Sequence, residues 1–542
     1  MKKLFFAVFA LQSLVACNLV ADWNKTGSDS TGLASADSNA AFVPVRDLSI
    51  TAANAYSDLF LDSNALETYI RDKKVPDSMA REMRHFYLAR NYQYAWMTSN
   101  GFTEEGRGFH GQHMAMDSAA AKTPMGLDTL MQKDTLTISA QDTAMAQAEL
   151  SMTEDFIRFA KTSLSLDNPA AAYYFVPAKK TDPMQLADSL LNRNADSVSL
   201  ASNQAHTRMK QQLAVYYNAA KNGGWTVISA AGFRKGAASP AVRELKKRLQ
   251  LTQDYTMTDT SDVYTDSLAS AVKDVQARFG LKPTGIATDS LVTMLNVPAQ
   301  QRVEQLVLNM RRMAWLPRVS DSNIITVNIP AYMLYVTEGS RRVMEMPVIV
   351  GKEGTHTTMF TGQINEIVFS PAWNIPQSIV RDEIMPKMKA DNAYLKRNNI
   401  EIVNQGDSIP RLRQLPGKGN PLGRVKFLFP NSYDIYLHDT PDRQLFARKD
   451  RALSHGCIRV SDAPSLAAYL LRDNPEWSTQ KIEQAMNGKE EQHVKVSRQT
   501  PVRITYLTAW VDENGKMNFR DDVYGHDQRT AARYFVRTSS QL

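Results

Sequence analysis

The 542 residues are 43% hydrophobic and 22% charged, an ordinary globular composition. At about 100–200 residues per domain, such a length predicts three or four domains rather than one core. The balance of 63 basic to 56 acidic residues is mild and comes without a Lys/Arg-rich run interleaved with aromatics, which argues against nucleic acid as a partner and leaves an anionic polymer or a membrane surface open.

The chain starts with Lys2 and Lys3, then an apolar stretch from Leu4 to Leu14 of the length found in secretory signals. Leu14-Val15-Ala16-Cys17 resembles a bacterial lipobox, so residues 1–17 read as a lipoprotein signal peptide with Cys17 as the lipidated residue. An ordinary signal peptide with an incidental cysteine is the plainer alternative. Past these residues no apolar run approaches the roughly 20 needed to cross a bilayer. Residues 18–47 are small, polar and unpatterned, as in a flexible tether. With two cysteines in all, a disulfide-stapled scaffold is excluded, and Cys457 becomes the one free thiol of an exported chain.

Residues 48–236 have mainly helical periodicity and predict a helical scaffold domain. Met79, Met83, Phe86 and Tyr87 share one face behind the helix start Pro76-Asp77-Ser78, and Met145, Met152, Phe156 and Phe159 mark a second helix. Residues 101–142 between them read as loop-rich. Residues 237–298 predict a three-helix module opened by Ser239-Pro240, with Val242, Leu245, Leu249, Val272, Val275, Phe279, Leu291 and Leu295 filling a small core. Residues 299–322 read as a linker helix.

From residue 323 the period changes to two. Ile325, Val327 and Ile329 alternate, and Met333 and Tyr335 face Met344, Met346 and Val348 across a Glu338-Gly339 hairpin. Residues 323–535 therefore predict a β-rich α+β domain. Residues 375–423, helical and then Gly/Pro-rich, interrupt it as a lid or as a stabilising surface excursion.

The chemistry concentrates around Leu437-His438-Asp439 at a strand end and, fifteen residues on, Ser454-His455-Gly456-Cys457-Ile458-Arg459. A thiol transfers acyl groups as its thiolate, so an imidazole near it must take or balance the proton. On this reading His438 lies against an ionised Cys457, Gly456 lets backbone amides face a developing oxyanion, and the helix start at Ser461-Asp462 adds positive dipole. A zinc site from His438, His455 and Cys457, or a buried inert cysteine, are the competing readings.

His-x15-Ser-His-Gly-Cys-Ile-Arg resembles the active-site signature of the YkuD-type L,D-transpeptidases. PAWNIP, GRVKFLFPN, IYLHDTP and LFARKDRALSHGCIRVSDA resemble their large, multidomain murein members, and residues 237–298 resemble a peptidoglycan-binding module. The resemblance implies Cys457 as nucleophile, His438 as its base, His455 and Ser454 shaping the pocket, and Gly456 with Cys457 supplying oxyanion amides. It further implies that Tyr436 lines the acyl site, that Arg459 holds a substrate carboxylate, and that Trp373 and Asn374 sit at the lid hinge or the substrate groove. The implied partners are peptidoglycan stem peptides and glycan strands, with a membrane reached through the lipid, and no metal or organic cofactor. The implied reaction is cysteine acyl transfer from tetrapeptide stems with release of D-alanine, giving 3→3 cross-links, in an enzyme acylated by carbapenems. L,D-carboxypeptidase activity, protein attachment to the wall and a non-catalytic wall-binding lipoprotein are the alternatives.

Overall fold

The computed structural model describes residues 45–113, 130–131, 136–163, 175–192, 204–316, 323–404 and 408–536. Cys17, the signal peptide and all but the last three residues of the predicted tether lie outside them. Among the described residues no helix is long and apolar enough to cross a membrane.

Ten helices precede the first long strand of the described chain: α1 (Ser63–Asp72), α2 (Asp77–Leu88), α3 (Glu104–His113), α4 (Thr143–Ser163), α5 (Pro183–Asn192), α6 (Gln204–Lys221), α7 (Pro240–Leu251), α8 (Asp266–Arg278), α9 (Asp289–Leu295) and α10 (Ala299–Ala314). The 3.6-residue spacing decides which faces turn inward. Met83, Phe86 and Tyr87 of α2 meet Met145, Met152 and Phe156 of α4 in one core. Ser239, Thr265 and Thr288 cap α7, α8 and α9, each side chain accepting an amide of the first turn, a contribution of about 1 kcal/mol per helix.

Three sequence expectations change here. The stretch read as loop contains α3, despite Gly106, Gly108 and Gly111. A Cβ at Gly106 would stand 2.7 Å from the Trp96 carbonyl and one at Gly111 2.3 Å from that of Met359, so packing, not helix propensity, selects glycine. The core of α7–α9 is not separate, because Val272, Leu291 and their neighbours merge with the scaffold's apolar cluster. Nor is α10 a linker: every residue from Leu306 to Ala314 is buried, its polar ones included, and Val303, Leu306, Val307 and Met310 are fully buried at the centre of that cluster.

The large sheet of the C-terminal half comprises β1 (Ile324–Asn328), β2 (Met333–Glu338), β3 (Arg341–Gly351), β4 (Thr361–Phe369), β5 (Val425–Leu428), β6 (Leu437–His438), β7 (Ala452–Ser454), β8 (Ile458–Val460) and β9 (Gln492–Thr505). Their order is β7-β3-β8-β6-β5-β4-β9-β1-β2, and β2 pairs with β3 as well, so the ladder returns on itself and leaves few open edges. Inside it Ile325, Val327, Leu334, Ile367, Phe427 and Ile458 form a second core. Helices α11 (Ala463–Leu470) and α12 (Thr479–Met486) cover it through Leu466, Ala467 and Ile482.

The insertion has its own small core of Ile375, Ile379, Val380, Ile384, Ile400 and Leu412. Its helical run 377–390 contains a π-turn at Val380–Ile384. The part read as loop contains the strand Arg411–Gln414, which pairs with Trp373–Asn374 on one side and with the strand Ile400–Asn404 on the other. After β9 the chain leaves the sheet body. The hairpin β10 (Ala509–Val511)–β11 (Met517–Phe519) and helix α13 (His526–Tyr534) bury Ala509, Phe519, Ala531 and Tyr534 in the helical core, not in the sheet core.

Candidate active site

Strand register builds the site. β6 and β8 run parallel with Leu437 opposite Ile458 and His438 opposite Arg459. Leu437 and Ile458 are fully buried in the sheet core. Successive side chains alternate, so Tyr436, His438, Cys457 and Arg459 share the other face. The Tyr436 and His438 rings stand 5.7 Å apart, edge to face.

The turn between β7 and β8 is fixed by its own backbone. Gly456 has φ +115°, a left-handed conformation that a side chain rarely adopts. Its amide donates to Ser454 Oγ at 3.1 Å, and that hydroxyl donates to the Cys457 carbonyl at 2.6 Å. Ser454 is thus a brace beneath the cysteine. The Gly456 amide, expected to face an oxyanion, is already engaged. The Cys457 N–H takes no protein acceptor among the described residues and is left free.

The imidazole–thiol pairing expected at rest is not made. His438 is buried, with Nδ1 2.6 Å from the Asp439 carbonyl. A carbonyl only accepts, so Nδ1 carries the proton and Nε2 is the basic nitrogen. Burial, with the positive charge of Arg459, pushes the imidazole down to about 3 against the pull of backbone bonds to Asp439 and Leu422, and it is neutral at pH 7. Cys457 Sγ points at the Asp434 carbonyl, 3.6 Å away. Burial pushes its thiol up, only partly offset by hydrogen bonds from Tyr436 and the charge of Arg459. The resting pair is therefore neutral thiol and neutral imidazole, not an ion pair. Desolvation disfavours both charges at once, which the sequence spacing did not reveal. The cysteine remains part-exposed and open to reagents.

Arg459 Nη1 is 3.5 Å from Asp442 Oδ2, while its buried Nε has no hydrogen-bond partner. His455 turns outward, its Nε2 3.1 Å from Glu383 Oε1 on the π-turn of the insertion. The insertion thus touches the cysteine motif directly. Trp373 and Asn374 stand at its root, opposite Gln414 and Arg413, with Trp373 packed on the insertion's own core. The dipole of α11 is answered by its own cap, Asp462 accepting from the Ser465 amide. No group of three His, Cys, Asp or Glu residues among those described converges to hold a metal, so His438, His455 and Cys457 do not assemble the zinc site weighed from sequence. Glu383 and the Asp434 carbonyl carry no motif, and sequence reasoning missed both.

This geometry sits inside a recognised domain. Residues 322–504 match the family of L,D-transpeptidase catalytic domains, residues 81–213 a scaffold domain, and residues 238–295 a "Putative peptidoglycan binding domain". The chain therefore carries an L,D-transpeptidase catalytic domain, a scaffold domain and a peptidoglycan-binding domain. A Haemophilus influenzae protein named "Putative L,D-transpeptidase" is 35% identical over 242 residues, covering 42% of this chain and 48% of the relative, so the chain spans about half the length of the curated relative it matches. Among solved structures, an L,D-transpeptidase from Stackebrandtia nassauensis aligns at 14% identity over 51% of this chain and 97% of that one, with a TM-score of 0.23. One from Mycobacterium smegmatis aligns at 15% identity over 34% and 58%, with a TM-score of 0.19. Overlaps that low carry no argument about the site.

Proposed function

We propose that the chain is a peptidoglycan L,D-transpeptidase that forms 3→3 cross-links by cysteine acyl transfer. The observation that supports this most is the single sheet face shared by Tyr436, His438, Cys457 and Arg459 within the L,D-transpeptidase catalytic domain. The neutral pair sets the order of events. As the Cys457 sulfur attacks the carbonyl of the third residue of a tetrapeptide stem, its proton passes to His438 Nε2, and charge appears only in the transition state. The carbonyl oxygen gathers the electron pair near the Cys457 amide. Collapse breaks the C–N bond, the departing D-alanine amine takes the proton from His438, and a thioester remains. The side-chain amine of a second stem then attacks the thioester, His438 accepts a proton from it, and protonated sulfur leaves as the restored thiol. Arg459, with Nε unsatisfied, suits a stem carboxylate, and the insertion resting on His455 limits water, which would hydrolyse the thioester. Carbapenems acylate the same sulfur.

The peptidoglycan-binding domain would hold the glycan strands, and a lipid on Cys17 would anchor the protein at the periplasmic side of the envelope, at the outer membrane. Incubation of full-length protein with purified disaccharide-tetrapeptide, beside Cys457→Ala, tests the reaction. Cross-linked dimers and released D-alanine with the wild type alone are expected. Tripeptides without dimers would make the enzyme an L,D-carboxypeptidase, and unchanged products with Cys457→Ala would end the cysteine mechanism. Intact-mass spectrometry after carbapenem treatment should find the adduct on Cys457, and radiolabelled palmitate should be incorporated in cells unless Cys17 is replaced.

A further inference from the structure

The peptide unit joining Gly456 to Cys457 is held from outside the catalytic motif. Its carbonyl, that of Gly456, accepts a hydrogen bond of 2.7 Å from the Thr357 hydroxyl. The same hydroxyl oxygen accepts the Gly351 amide at 2.9 Å, so the 351–357 loop is pinned at both ends of this bond. The loop is tight as well, since a Cβ at Gly351 would stand 2.0 Å from the Thr355 carbonyl. The described chain contains no cis peptide bond. In a trans peptide the C=O and N–H point in opposite directions, so fixing the Gly456 oxygen fixes where the Cys457 N–H points. With the Gly456 amide spent on Ser454, that N–H is a donor of the turn free to face a developing oxyanion.

A second tier holds the first. The Tyr524 hydroxyl donates to the Gly351 carbonyl at 2.6 Å and accepts the Thr357 amide at 3.4 Å, while its ring stacks on His356 at 4.0 Å. Tyr524 lies just before α13, whose Thr530 and Tyr534 hydrogen-bond to Glu104 and Glu105 of the scaffold helix α3. We propose that Thr357 is a positioning residue that aims the Cys457 amide at the oxyanion, and that Tyr524 braces it from the helical body. This rests on the acyl-transfer reading of Cys457.

Two reagents separate aiming from general damage. Acylation by a carbapenem develops an oxyanion, whereas alkylation by iodoacetamide displaces iodide and develops none. For Thr357→Val, the acylation rate measured by intact mass should fall by about tenfold or more, with alkylation of Cys457 within about twofold of the wild type. Thr357→Ser, which keeps the hydroxyl, should recover most of the rate. Tyr524→Phe, which keeps the ring, should lose acylation by a smaller factor in the same direction. Wild-type acylation in Thr357→Val, or a parallel fall of acylation and alkylation in both Thr357→Val and Tyr524→Phe, would overturn the proposal while leaving the functional reading standing. A wild-type protein that no carbapenem acylates and that transfers no stem peptide would remove both.

Discussion

Two buried polar clusters in this molecule handle charge in opposite ways. Where the helical body meets the sheet body, Arg312 of α10 lies between Glu104 of α3 and Asp527 of α13, with Thr530 on Glu104 and Thr508 on Asp527 completing the set. Every charge there has an opposite charge and a hydrogen bond. At the cysteine face, no carboxylate among the described residues opposes His438, the thiol and imidazole stay neutral, and among the described residues the Nε of Arg459 and the amide of Cys457 find no hydrogen-bond partner. The junction has settled its charges on folding, and the cysteine face leaves them to be settled by a substrate. Such a difference is what separates a structural network from a reactive one.

The largest test of that contrast is His438→Gln, which keeps a similar volume but removes the base. Carbapenem acylation should fall by about 10²- to 10⁴-fold with little change in thermal stability. A retained rate would mean that another group takes the proton. At the junction the weighting should reverse. Arg312→Met leaves two buried carboxylates facing each other and should cost about 3–5 kcal/mol in denaturant melts, while the Glu104→Gln/Arg312→Met pair should cost less than the sum of its parts.

The two clusters should also differ in their response to pH. Burial raises the Glu104 carboxyl, but the charge and hydrogen bonds of Arg312 outweigh it and hold the group down at about 2. A carboxylate depressed by folding adds stability above its unfolded pKa of about 4.5, and that stability is lost as the pH falls toward 2. Glu104→Gln should flatten the acid limb of the stability curve, and an unchanged limb would count against the pair. For Cys457 the shift is upward, so its iodoacetamide alkylation should reach half its limiting rate at a higher pH than a free cysteine, whose midpoint is about 8.5. The smallest effect is expected from Glu383→Ala. Releasing the insertion from His455 should shift products a few-fold from dimers toward tripeptides, read on a muropeptide chromatogram, by loosening water exclusion.

What the sequence made legible follows a physical division. Alternation in Ile325-Val327-Ile329 and the apolar stretch around Val425–Leu428 specifies strands, and the Thr and Ser caps specify helix starts, because both are local effects. The Ser454–Cys457 motif, too, is contiguous and can be read directly. Helix α3 was hidden because two of its glycines, Gly106 and Gly111, answer to the Trp96 and Met359 carbonyls, which are distant or unremarkable in sequence. The burial of α10 was hidden because RVEQLVLNMRRMA carries Arg312, whose partners Glu104 and Asp527 lie some two hundred residues away on either side. The protonation of Cys457 and His438 was likewise invisible, since desolvation depends on everything packed around them and not on the fifteen-residue spacing.

The return of β10, β11 and α13 to the helical core has a consequence for how the protein is made. Phe519, Ala531 and Tyr534 fill places among residues that leave the ribosome several hundred positions earlier. A chain emerging from its N-terminus must therefore keep part of its first core open until synthesis has passed the whole sheet body. An assembly order of helices first and catalytic strands second is closed to it; the helical body is completed last, by residues 509–534, after the final strand of the sheet.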